Sequence, residues 1–115
     1  MNAEYWATQI RKLKDPETAK WGAQVFSFGL GKGRNIEKTN LGEALKYISR
    51  SDLIEATLLA FIDWSAQPYC DEILWYFEPD EIVDAYKNLD IHNDNVIKGV
   101  ADFLEKVESP LVKEI

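Results

Sequence analysis

Residues 52–64 read DLIEATLLAFIDW, and their pattern limits the fold more than any other stretch of the chain. Leu53, Ile54, Ala56, Leu58, Leu59, Phe61 and Ile62 fall on most sides of a helix, whereas a surface helix keeps such residues to one stripe. The stretch is far shorter than the roughly 20 apolar residues that cross a bilayer. A short helix that is apolar nearly all round is stable only when other helices cover it, so the segment belongs at the centre of a helical bundle.

The rest of the chain supplies the covering helices. Over residues 3–14, Trp6, Ile10 and Leu13 share one helix face. Asp15-Pro16 reads as the N-cap and first turn of a second helix running to about Phe28. The glycine-rich run Gly29–Gly33 ends it. Asn40 is placed to cap a short helix carrying Leu41, Leu45 and Ile48, and Ser51 or Ser49 to cap the central one. Pro68 opens a helix through Phe77. Glu78-Pro79 opens the next, with the stripe Ile82, Tyr86, Leu89 and a hydrophobic staple between Phe77 and Ile82. Ile97, Val100, Leu104 and Val107 mark a last helix over 94–107, stopped by Ser109-Pro110, and residues 108–115 are expected to fray. Val25–Phe28 alternates as a strand would, but no second alternating run exists to pair with it. The expectation is an all-α single domain over residues 1–115. It has about six or seven short helices packed as antiparallel hairpins, bundled or stacked like helical repeats, with the Gly29–Gly33 loop internal.

Composition narrows the chemistry. One cysteine excludes an internal disulfide and any Cys-rich zinc site, and one histidine excludes two-histidine metal motifs. The N-terminal residues MNAEYWATQIRKLKD lack the apolar core of a secretory signal, so a cytoplasmic protein with no membrane attachment is expected. A net charge of −7 argues against direct nucleic-acid binding, which needs clustered cations. Phosphate binding at Gly29, Gly31, Gly33, Lys32 and Arg34 fails on motif: no Ser or Thr follows Lys32 to reach a magnesium ion. Calcium binding at Asp90–Asn95 fails because Asn95 and Ala101 stand where an EF-hand loop needs Gly and Glu. Cys70 has His92 as its sole candidate base, and nothing in the sequence joins them. A buried, inert thiol is the simpler reading. No catalytic residues, metal ligands or cofactor are assigned, and the chain is read as a non-enzyme.

Charge is the uneven feature. Residues 1–50 carry +4 and residues 51–115 carry −11. Trp64, Tyr69, Trp75, Tyr76, Phe77 and Tyr86 lie among the acids of the second half. Helical spacing puts Cys70, Ile73, Leu74 and Phe77 toward the core. Trp75 then falls on the opposite side with Asp71 and Glu72, and Glu78 follows one turn on. In the next helix Asp80, Glu81 and Asp84 face away from Ile82, Tyr86 and Leu89.

The candidate partner-binding residues are therefore Trp75, Asp71, Glu72, Glu78, Asp80, Glu81 and Asp84. An aromatic anchor ringed by carboxylates suits a basic protein partner, with charge speeding encounter. The function expected is a non-catalytic, immunity or antitoxin-like inhibitor of a basic protein such as a nuclease toxin or another nucleic-acid-binding protein. The alternative is a small helical enzyme or ligand-binding protein using the Gly29–Gly33 region. Four tryptophans also leave room for an apolar surface shared with a second copy.

Overall fold

Seven α-helices form in the computed structural model of the chain, which describes residues 3–28 and 35–115, with the backbone alone of Lys38. They are α1 (Ala3–Lys14), α2 (Ala19–Ser27), α3 (Asn40–Ala44), α4 (Arg50–Ala60), α5 (Gln67–Leu74), α6 (Pro79–Asn88) and α7 (Asp94–Lys106). Three short 3-10 turns, Ile36–Lys38, Trp64–Ala66 and Pro110–Glu114, complete the order, and no strand occurs among the described residues. The chain is all-α, as its periodicity predicts.

The central segment behaves as its composition requires. α4 buries Leu53, Ile54, Ala56, Thr57, Leu58 and Ala60 and touches α1, α2, α5, α6 and α7. Thr57 is fully buried, and its hydroxyl donates to the Leu53 carbonyl (2.8 Å), so burying it leaves no bare donor. Helices distant in sequence also meet, α1 on α4 and α2 on α5. A helical-repeat stack touches only its neighbours along the chain, so the arrangement is a bundle around α4. Its radius of gyration is 12.9 Å, close to the roughly 13 Å of a compact domain this long.

Several helix ends differ from expectation. Asp15 does not start α2: it caps a turn, accepting from the Glu17 N–H (3.1 Å), while the Thr18 hydroxyl donates back to the Lys12 carbonyl (2.9 Å). That turn lets α2 begin at Ala19 and fold back onto α1. Thr39, not Asn40, caps α3, because the Asn40 amide is drawn away to the Val25 carbonyl (2.7 Å). Ser49 caps α4 by accepting from Asp52 N–H (3.1 Å). α4 ends at Ala60, where the chain turns through Trp64–Ala66. Val25–Phe28 continues α2 to Ser27 rather than forming a strand. Residues 108–115, expected to fray, instead place Leu111, Val112 and Ile115 against the core, and Glu114 pairs with Lys87 of α6 (2.6 Å). Their apolar side chains are partly covered against the core, a placement that the local pattern, interrupted by Pro110, does not announce. No helix among the described residues is long and apolar enough to cross a membrane.

Candidate functional site

Trp75 caps the C-terminus of α5. Cys70, Ile73, Leu74 and Phe77 are buried, and Trp75, about 100° further round the helix than Leu74, stands 45% exposed. The connection to α6 is short because Pro79, which lacks an N–H, is well suited to a first helical turn. Glu81 reaches back to accept from the Glu78 N–H (3.2 Å), and the buried pair Phe77 and Ile82 sits where a staple closes. The Trp75–Glu78 link is thus held at both ends.

The seven candidate residues divide by their electrostatics. Asp71 is 13% exposed and accepts from Lys106 at the end of α7 and from Gln67. Glu81 takes a two-pronged contact from Arg50, at 2.8 and 2.9 Å. Hydrogen bonding to Arg50 holds the Glu81 carboxyl below the usual carboxylate range, and Glu81 in turn raises the Arg50 guanidinium. Asp71 and Glu81 are therefore joined to the fold itself. Glu72, Glu78, Asp80 and Asp84 are exposed and form no ion pair among the described residues.

These four are not all in one place. Glu78 lies with Trp75 at a groove of about 380 Å³, lined also by Phe77 and Pro79 and, from the end of α7, by Phe103, Lys106, Val107 and Glu108. Asp80 and Asp84 line a shallower groove of about 300 Å³ with Lys87, Leu111 and Glu114. The α7 side of the first groove is invisible to helical spacing within 68–89, because only tertiary packing brings α7 there. One signal was local: Glu108 follows the helix end, where a left-handed residue is common. Glu108 has φ 57°. The Ser109 N–H reaches the Leu104 carbonyl (2.9 Å) and the Glu108 N–H the Glu105 carbonyl (3.0 Å). This is a Schellman closure with Glu where glycine is usual.

The remaining sequence candidates lie apart. Gly29–Gly33, with Lys32 and Arg34, falls outside the described residues. Cys70 is fully buried with its thiol against the Thr57 carbonyl (3.5 Å), and burial pushes that thiol far above its ordinary pKa, helped by the nearby Asp71 and Asp63 charges. His92 is exposed. In Asp90–Asn95, Asn93 caps α7 by accepting from the Asn95 and Val96 N–H groups (2.9 and 3.2 Å), and the Asn95 amide donates to the Ile62 carbonyl (3.1 Å). No group of three metal-binding side chains forms among the described residues. Comparison with models of known families, with curated proteins and with solved structures finds no match.

Proposed function

We propose that the chain is a non-catalytic interaction protein that holds a basic protein partner on its acidic aromatic face, acting in the cytoplasm as an immunity or antitoxin-like inhibitor of a cationic nuclease. The observation that carries this reading is the half-exposed Trp75 at a groove shared with Glu78 and Glu108, which form no ion pair among the described residues.

The rival account is internal pairing, in which the basic first half balances the acidic second half. Among the described residues, Arg50–Glu81 alone joins the two halves; the other ion pairs lie within one half. Ion pairing across the halves among the described residues therefore offsets a single unit of the −11. A nuclease is cationic because it binds phosphate, and an acidic inhibitor gains encounter rate from the opposite charge. Aromatic side chains at the centre of such a face supply the persistence that charge alone does not.

The test begins with affinity capture of a partner from the native host, identified by mass spectrometry, followed by association kinetics with the purified pair. The reading expects a basic partner, an association rate that falls as salt rises, and faster dissociation with Trp75→Ala. An acidic or neutral partner, or an association rate indifferent to salt, would remove it.

A further inference from the structure

The groove beside Trp75 has a chemistry more specific than general acidity. Buried Phe77 and Phe103 back it, Trp75 stands out beside it, and Glu78 and Glu108 contribute carboxylates. Lys106 lines it too, but its ammonium is joined to Asp71, and Glu78 shares the field of Arg50. Glu108 forms no ion pair among the described residues. Two helices, α5 and α7, end at this groove with the negative pole of their dipoles, weakened by the closing turns that engage the Leu74, Leu104 and Glu105 carbonyls. α6 begins there with the opposite sign, already answered by the Glu81 carboxylate on the Glu78 N–H. The net field favours a cation, and the aromatic lining favours a flat one.

We infer that this groove is the seat of an arginine side chain of the partner, its guanidinium lying against Trp75 and reaching the Glu108 carboxylate. Arginine suits it better than lysine because its planar, weakly hydrated head both stacks on rings and donates in a fork to carboxylates. The same chemistry already occurs inside the fold, where Arg50 lies over the Phe77 ring (4.9 Å to the centroid) while donating twice to Glu81. Glu108 holds a backbone conformation in which glycine is more stable. The inference rests on the basic-partner reading and names the contact that reading requires.

The probe is an acetylated, amidated hexapeptide of alternating glycine and arginine, titrated into ¹⁵N-labelled protein at low salt, with the citrulline peptide as its uncharged control. Saturable shifts are expected at the Trp75 indole and at the amides of Glu78 and Glu108, and none with citrulline. Glu108→Gln and Trp75→Ala should weaken binding at least fivefold, and Asp84→Asn less than twofold. Glu108→Gly separates recognition from folding: it should raise the denaturation midpoint and still weaken the peptide at least fivefold. Unchanged affinity in Glu108→Gly and Glu108→Gln overturns the inference. Shifts confined to Asp80 and Asp84 overturn the groove assignment and leave the acidic face standing. A peptide that moves no resonance also overturns the arginine site, while the basic-partner reading is then decided separately by the salt dependence of its captured protein.

Discussion

Trp75 and Trp6 show how little a residue's type says about its work. Trp6 is almost wholly buried and stacks near Phe26, with ring centroids 5.8 Å apart, so it is part of the core. Trp75 is nearly half exposed at the end of a helix whose buried side is filled by Cys70, Ile73 and Leu74. Removing a buried aromatic usually costs about 3–5 kcal/mol. Trp75→Ala should instead cost clearly less, about 1–2 kcal/mol measured by urea denaturation, because roughly half of the side chain is covered. A loss near the core value would mean that Trp75 holds the fold together, and any binding defect of that variant would then follow from unfolding.

At the scale of elements, helix contacts override local preference. Gly22 lies in α2, where alanine would ordinarily improve a helix by about 1 kcal/mol. A Cβ there would come within 2.8 Å of the Leu13 Cα, a backbone atom that cannot swing aside. Gly22→Ala should therefore destabilise by about 1–3 kcal/mol, by forcing α1 and α2 apart, and thermal unfolding will show the sign. The clamp between α4 and α6 makes a different forecast. Glu81 has a lowered pKa in the folded state, so its contribution is complete above the unfolded value of about 4.3 and is lost as pH falls through the lower folded value. Because the pair is partly exposed, Glu81→Gln should cost only about 1 kcal/mol at pH 7. Gln can still close the capping box, so the loss reports the charge. The gap between variant and wild type should narrow in denaturation curves taken at progressively lower pH below the ordinary glutamate range.

At the scale of the whole molecule, ion pairing among the described residues does little to offset the charge difference between the two halves, since Arg50–Glu81 alone joins them. The Lys106–Asp71 and Lys98–Asp102 pairs join acids to bases of the same acidic half, so they leave its excess unchanged. Asp80 and Asp84 are exposed on α6 and carry no ion pair among the described residues. Changing both to Lys should leave circular dichroism and stability nearly unaltered and slow association with a basic partner by roughly tenfold or more at low salt. The slowing should fade as salt shortens the reach of the field. Persistence of the full effect at high salt would point to direct contacts in place of steering.

The all-α class, the central place of residues 52–64 and the exposure of Trp75 were legible in the sequence, because each follows from apolar spacing along one helix. The cap of the central helix was legible as one of two serines, Ser51 or Ser49, of which Ser49 serves, since a cap acts within three residues. Other features depended on partners far along the chain. Asn40, placed by its sequence to cap a helix, serves Val25 instead; Asp71 and Glu81, expected among the partner-binding residues, are held by Lys106 and Arg50, 35 and 31 residues away. The groove itself exists only where the end of α7 meets the α5–α6 link. Periodicity decides which face of a helix avoids water, and it acts over a single turn. Which charges meet, and which walls enclose a groove, is decided by the packing of helices remote in sequence, which no local pattern records.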